Sequence, residues 1–140
     1  MVFIDANPFV YAATDDPRRK PCLELLGVVA TGRLEARTAV NVIEKLWHIE
    51  LRGRPRIRPG VTRRIYELFT PLLPITDDIL RAALSIDAPK LGSNDRVIVA
   101  LCRAAGIQTI ISNDHGFDGV PGLQRIDPLD ANAVAQLVRV

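Results

Sequence analysis

The positions of four acidic residues limit the folds open to this chain more than any other feature of its sequence. Asp5 and Asp114 follow apolar segments, Glu44 lies inside one, and Asp95 begins one. A carboxylate that leaves water needs a charged partner or a bound cation, because its desolvation is costly. The four residues are far apart along the chain, which excludes a short metal-binding loop. An open parallel α/β sheet brings such distant segments to one edge.

Short apolar segments alternate with longer segments of helical periodicity. Strands are predicted at 2–4, 34–38, 72–75 and 109–112. Helices are predicted after Asn7-Pro8 and at 21–31, 41–52, 61–69, 79–86 and 95–105. No hairpin dipeptide separates the predicted strands. We therefore predict an α/β fold, a single three-layer α/β/α domain with a mainly parallel central sheet.

Three residues mark the ends of two of these helices. Thr76 is predicted to cap the helix that follows it, and Ser93 is predicted to cap the helix that carries Asp95. Gly106 is predicted to end the same helix, since glycine readily adopts the left-handed conformation of helix C-termini. This places Asp95 in a first turn.

Length and composition favour one domain over 1–140. The chain has 140 residues, 48% of them hydrophobic, and can bury a core of its own. No uncharged apolar run approaches the roughly 18 residues of a membrane span, and the N-terminus shows no export signal. A soluble cytoplasmic protein is expected. Cys22 and Cys102 have no partners at zinc-ligand spacing and are predicted to be core thiols.

Positive charge is concentrated in one segment, although the net charge of the chain is only +2. Guanidinium groups bind phosphates through two parallel hydrogen bonds, and a local excess of positive charge suits a polyanion. Three interpretations remain open: contact with nucleic-acid phosphates, docking of an acidic protein segment, or exposure to solvent. The arginines of this segment are Arg52, Arg54, Arg56, Arg58, Arg63 and Arg64.

The acidic residues predict a site for hard divalent cations. Ligands of open α/β sheets bind beyond the carboxyl ends of the strands, and Asp5 and Asp114 follow two such ends. Asp95 at a helix start and Glu44 in a helix facing the same edge would complete an oxygen-rich site for Mg²⁺ or Mn²⁺. Two such ions can hydrolyse a phosphodiester without a protein nucleophile.

Four fragments in this order resemble the PIN-domain ribonucleases, and among them the toxins of VapBC-type toxin–antitoxin pairs. They are FIDANPFVYA, the helix around Glu44, NDRVIVALCRAAGI, and ISNDHGF, which is similar to the family's closing motif Thr/Ser-x-Asp-x-x-Phe. The resemblance spans nearly the whole chain. It implies a metal-dependent endoribonuclease that cleaves single-stranded or structured RNA.

The same resemblance implies roles for individual residues and partners. Asp5, Glu44, Asp95 and Asp114 would be catalytic and hold Mg²⁺ or Mn²⁺. A homodimer is implied, together with an antitoxin whose C-terminal segment occupies the acidic groove. Supporting polar groups would be Asn7, Ser112 and Asp118. Independently of the resemblance, the local excess of positive charge makes Arg52, Arg54, Arg56 and Arg58 the candidate RNA-binding residues. One departure is Arg96, where the family commonly has a small residue, and the arginine is expected to modify the site or to face solvent.

Two other functions compete with this interpretation. Asp114 and Asp118 also fit a haloacid-dehalogenase-like phosphatase, but that mechanism needs a second carboxylate two residues after the nucleophile, and position 7 is asparagine. A catalytically silent PIN-like module that binds RNA or protein would have lost one or more acids, and all four are present. His48 and His115 are expected to be surface or packing residues.

Overall fold

A computed structural model describes residues 1–139 and shows a four-stranded parallel sheet surrounded by helices. In chain order, its elements are β1 (Val2–Ile4), α1 (Ala6–Ala13), α2 (Arg19–Ala30), β2 (Ala36–Arg37), α3 (Val40–Arg52), α4 (Val61–Phe69), α5 (Asp77–Leu84), α6 (Ser93–Ala105), β3 (Thr109–Ile111), a 3₁₀ turn (His115–Phe117), β4 (Gln124–Ile126) and α7 (Ala131–Leu137). The predicted α/β class with a parallel sheet is confirmed. The extent of the domain over 1–140 stays a prediction.

The two central strands, β1 and β3, form the middle of the hydrophobic core. The strand order is β2-β1-β3-β4, with all neighbours parallel, and Ile4 of β1 lies opposite Ile111 of β3. All three residues of β1 are buried, as expected for a parallel strand covered on both faces. The largest fully buried side chains include Phe3, Phe9 and Phe117.

Helix packing against the sheet is anchored by aromatic residues. Phe9 of α1 meets Phe69 of α4 edge to face, with ring centroids 5.2 Å apart, an arrangement that adds to the energy of burial. Within the described residues, 1–139, no helix combines the length and the hydropathy needed to cross a bilayer. Cys22 and Cys102 are free and buried, as the sequence predicted, and burial raises the pKa of the Cys22 thiol to about 11.

Several predicted boundaries were wrong. The segment 72–75 is not a strand: Leu73 forms only an isolated bridge with Ala39. Pro71 and Pro74 flank this segment, and proline cannot donate to a sheet ladder. The strand predicted at 34–38 is confined to Ala36–Arg37.

The helix that carries Asp95 begins two residues earlier than the predicted range 95–105. Ser93 lies inside α6, and Gly92 is its N-cap residue, without a side-chain cap. The predicted end is correct, since Gly106 adopts φ +70°, a conformation that L side chains rarely take. Thr76 caps α5 as predicted, because its hydroxyl accepts a hydrogen bond from the backbone N–H of Ile79.

Candidate active site

Three of the four predicted acids lie at the carboxyl edge of the two central strands. Asp5 follows β1 and caps α1, with its carboxylate accepting a 2.8 Å hydrogen bond from the backbone N–H of Ala6. Asp114 follows β3 and caps the 3₁₀ turn, accepting from Gly116 at 2.8 Å. Asp95 lies in the first turn of α6. Parallel pairing of β1 with β3 therefore brings the two aspartates of the strand ends to one place.

Ser112 and Asn7 hold this arrangement together. The Ser112 hydroxyl donates to Oδ2 of Asp5 at 2.7 Å and accepts from the backbone N–H of Asp114 at 3.0 Å. The Asn7 amide donates to the Ser112 hydroxyl at 3.3 Å, and its oxygen accepts from the backbone N–H of Asn113 at 2.9 Å. Both side chains, predicted as supporting groups, thus contact the acids or the loop that carries them.

Burial and mutual repulsion make the ionised state of these acids costly. Asp5 is only 6% exposed, and desolvation raises its pKa, while hydrogen bonds from Ser112 and Ala6 act in the opposite direction. The pKa of Asp95 is raised to about 6, first by desolvation and then by the neighbouring charges of Asp5 and Asp114. A cation placed among the three would remove this repulsion.

Glu44, the fourth predicted acid, is not among the charges that shift the pKa of Asp5 or Asp95. Its exposed side chain lines a groove with Val40, Trp47 and Tyr66. The neighbouring Lys45 is the α3 residue whose charge lowers the pKa of Asp5 and Asp95. Among residues 1–139, no three His, Cys, Asp or Glu side chains are close enough to hold a metal ion as they stand. The structure thus brings together three of the four predicted acids.

Comparison with known proteins decides the family. The PIN domain family model matches residues 2–123, most of the chain. This chain belongs to the PIN domain family. Its predicted resemblance to that family is therefore confirmed.

One curated protein and two solved structures are similar to this PIN domain over most of its length. Ribonuclease VapC7 of Mycobacterium tuberculosis is 27% identical over 149 residues, with 98% of each chain covered. A toxin–antitoxin complex from Klebsiella pneumoniae contains a chain with a TM-score of 0.67 and 16% identity, covering 91% of this chain and 98% of the other. The sarcin-ricin loop cleaving toxin VapC20 of M. tuberculosis has a TM-score of 0.64 and 17% identity, covering 82% and 91%. These two structures share the fold.

Asp118 of this PIN domain pairs with basic residues. It forms an ion pair with Arg125 at 2.8 Å and contacts Nδ1 of His115 at 3.0 Å, and these partners lower its pKa. Arg125 also donates to the backbone carbonyl of Ser112 at 3.0 Å. The support that Asp118 gives to the site therefore passes through Arg125. The sequence did not suggest Arg125, because β4 is too short and too polar to be recognised.

Arg96, the departure from the family pattern, neither enters the site nor points freely to solvent. Its guanidinium group donates to the carbonyls of Leu91, Ala88 and Ile86 at 3.0, 3.2 and 3.2 Å. One side chain thereby satisfies three backbone hydrogen-bond acceptors in the segment that precedes α6. Arg96 stabilises the segment before the helix start on which Asp95 lies, so its effect on the site is indirect.

A second network of polar side chains supports the loop after β3, and the sequence analysis did not predict it. The Tyr11 hydroxyl accepts hydrogen bonds of 3.0 Å from both Asn113 and Arg18. The Arg18 guanidinium lies 3.8 Å from the centre of the Tyr11 ring and is paired with Asp16, whose pKa it lowers to about 2. The helical position of Tyr11, one turn after Asn7, is the sequence signal that could have indicated this contact.

The arginine cluster of the sequence divides between two surfaces. Arg56 and Arg58 line a cavity of about 570 Å³ that also includes Arg19 and Arg64. Arg63 lines the groove that contains Glu44. Arg52 and Arg54 line neither the cavity nor the groove. Instead, Nε of Arg52 donates to the backbone carbonyl of Arg54 at 3.1 Å.

Proposed function

We propose that this PIN domain is a Mg²⁺- or Mn²⁺-dependent endoribonuclease and the toxin of a toxin–antitoxin pair. The observation that carries the proposal is the convergence of Asp5, Asp95 and Asp114 at the carboxyl edge of β1 and β3. The curated relative that matches nearly the full chain is a ribonuclease by name, which supports RNA as the substrate.

The donor set fits a hard divalent cation. It consists of carboxylate oxygens, supported by a hydroxyl and an amide, and the repulsion that raises the pKa of Asp95 is the kind that a cation relieves. Asp5, Asp95 and Asp114 would hold the metal, with Glu44 of α3 as the fourth carboxylate. A bound ion of this type supplies Lewis-acid chemistry for water attack on a phosphodiester.

The remaining groups of the site orient these acids. Ser112 fixes Oδ2 of Asp5 and the backbone of Asp114, and Asn7 fixes Ser112. Lys45 lowers the pKa of Asp5 and Asp95, which keeps them closer to the ionised state that metal binding needs. The described side chains thus favour catalysis by positioned carboxylates rather than by a protein nucleophile.

The partners follow from the proposed role. Toxins of this class are silenced by a small antitoxin, and one of the structural neighbours is part of a toxin–antitoxin complex. We propose an antitoxin partner, a homodimer, a single domain over residues 1–140, and a cytoplasmic location where RNA is available. A phosphatase is disfavoured by Asn7, whose amide donates to Ser112 and Asp5 and cannot act as a general acid.

The test compares RNA cleavage by wild type and by two isosteric variants, Asp5→Asn and Asp95→Asn. Each removes one metal-binding charge with little change in shape, so cleavage with Mg²⁺ or Mn²⁺ should be lost while the fold persists. Asp78→Asn, an exposed acid of α5, is the matched control and should cleave normally. Cuts leaving 5′-phosphates that disappear in EDTA would support the mechanism. Full activity of Asp5→Asn with Mg²⁺ would overturn it.

A further inference from the structure

A basic cavity lies at the end of α1 opposite to Asp5. Its wall contains the last residues of that helix and the segment after it, Ala12 to Asp15. Four exposed arginines from different parts of the fold line it: Arg19, Arg56, Arg58 and Arg64. Apolar side chains of Leu23, Leu26 and Ile65 complete the wall.

The loop between α3 and α4 presents two of these arginines in a fixed way. Ile57 is buried, 3% exposed, between Arg56 and Arg58. Ile57 thus anchors the loop in the core while Arg56 and Arg58 on either side of it are exposed. Glu50 fixes the far end of the loop, because its carboxylate accepts from the backbone N–H groups of Thr62 at 2.9 Å and Gly60 at 3.4 Å.

The four arginines of the cavity outnumber its single acid. Within residues 1–139, no carboxylate forms a salt bridge with any of the four arginines, and Asp15 is the one acid on the cavity wall. The nearby Arg18 differs, because it is paired with Asp16 at 2.9 Å. Four unpaired guanidinium groups around one concavity make a strong site for phosphate oxygens.

We propose that this cavity binds the phosphate backbone of the RNA substrate at nucleotides away from the cleaved bond. The inference rests on the proposed ribonuclease function and adds a second binding site to it. The carboxylates of the active site repel a polyanion, so the backbone on either side of the cleaved bond needs positive charge elsewhere. The apolar wall of the cavity offers a surface for ribose and base.

The geometry of α1 favours RNA over an acidic protein segment as the occupant. One end of this helix carries Asn7 in the active site, and its other end forms the cavity wall. The helix has eight residues and is therefore about 12 Å long, a distance that a few nucleotides span. A strand held at the carboxylates can reach the arginines along α1 without leaving the surface.

The experiment measures RNA binding over a series of salt concentrations in the Asp5→Asn background, where RNA is not cut. The triple variant Arg56→Ala, Arg58→Ala, Arg64→Ala should flatten the slope of log affinity against log salt by about 0.7 per lost contact, or about 2 in total. The loss should be larger for long single strands than for short ones. Replacement of the same three arginines by lysine should retain most of the slope. Arg81→Ala, on α5, is the control for a lost surface arginine.

The outcomes separate this inference from the proposed function. An unchanged slope in a triple variant with native circular dichroism would overturn the cavity as an RNA site. An unchanged slope together with loss of binding to a polyglutamate probe would assign the cavity to a protein partner instead. Absence of RNA cleavage by wild type with Mg²⁺ would count against the nuclease alone, because the salt series does not depend on cleavage.

Discussion

Ser112 donates a 2.7 Å hydrogen bond to the carboxylate of Asp5, a residue at the end of the neighbouring strand. The same hydroxyl accepts from the backbone N–H of Asp114, so one small buried side chain connects two acids from different parts of the chain. Loss of this one hydroxyl should therefore disturb the positions of both Asp5 and Asp114.

Replacing Ser112 with alanine should weaken metal binding about 10–100-fold, the usual effect of losing a group that orients a ligand. All three hydrogen bonds of the hydroxyl, with Asp5, Asp114 and Asn7, disappear, and Asp5 loses a donor that lowers its pKa. The concentration of Mg²⁺ at half-maximal cleavage measures the effect, and excess Mg²⁺ should restore most of the rate. Ser85→Ala, at the exposed end of α5, should match wild type. A rate deficit that persists at saturating Mg²⁺ would contradict a purely orienting role.

The raised pKa of Asp95 predicts an unusual pH dependence of stability in EDTA. The group titrates near 6 in the folded chain and near 3.8 in the unfolded one, so the folded state binds more protons between these values. The contribution of Asp95 to the free energy of unfolding should therefore be largest below about pH 4. It should decline as pH rises through about 6. Thermal unfolding across this range measures the decline.

Asp95→Asn serves as the comparison for this pH effect. The amide cannot ionise, so the part of the pH dependence due to residue 95 should vanish, and the variant should melt a few degrees above wild type at pH 7 in EDTA. Addition of Mg²⁺ should raise the melting temperature of wild type and not that of the variant. A variant less stable than wild type at pH 7 in EDTA would show that repulsion among the acids is not a cost to the fold.

Arg125 should be more important for stability than the exposed acid with which it pairs. Its side chain is 10% exposed and donates to the Ser112 carbonyl as well as to Asp118. Arg125→Ala should cost about 1.5–3 kcal/mol, the range for hydrogen bonds that involve a charged group. Asp118→Ala should cost less, because the arginine keeps its carbonyl partner. Urea unfolding of both single variants and the double variant gives the coupling, and equal costs would disprove this ranking.

The sequence predicted the parts of the fold that depend on local pattern. Asp5 and Asp114 follow short apolar strands, and that position alone indicates the carboxyl edge of a parallel sheet. The helix of Asp95 was recognisable from its periodicity and from Gly106. These features involve neighbours in the chain, so their signals are present in the residues themselves.

Contacts between distant segments were not predictable in the same way. Arg125 and Tyr11 reach the loop after β3 only because β4 and α1 pack beside it, and neither residue carries a local motif. Arg96 stood out only as a departure from the family pattern, and its bonds to three backbone carbonyls had no local signal. Ile57 is buried between Arg56 and Arg58, and the surrounding arginines gave no indication in the sequence that this residue belongs to the core.

Glu50 should control both the stability of α4 and the order of the arginine loop. Gly60, the N-cap residue of α4, has no side chain to cap the helix, and the Glu50 carboxylate binds the N–H groups of Gly60 and Thr62 instead. Glu50→Ala should cost about 0.5–2 kcal/mol, as the loss of a cap does. These hydrogen bonds lower the pKa of Glu50, so its contribution is present at neutral pH and is lost as pH falls through the folded pKa.

Urea unfolding at pH 7 and at low pH measures this contribution, and the difference between wild type and Glu50→Ala should shrink on acidification. Hydrogen exchange should show faster opening at residues 54–62 in the variant, because the loop loses its attachment to α3. Glu67→Ala, which removes an exposed glutamate of α4, is the control and should leave exchange in the loop unchanged. If the loop of Glu50→Ala exchanges as slowly as that of wild type, burial of Ile57 alone is sufficient to hold the arginines in place.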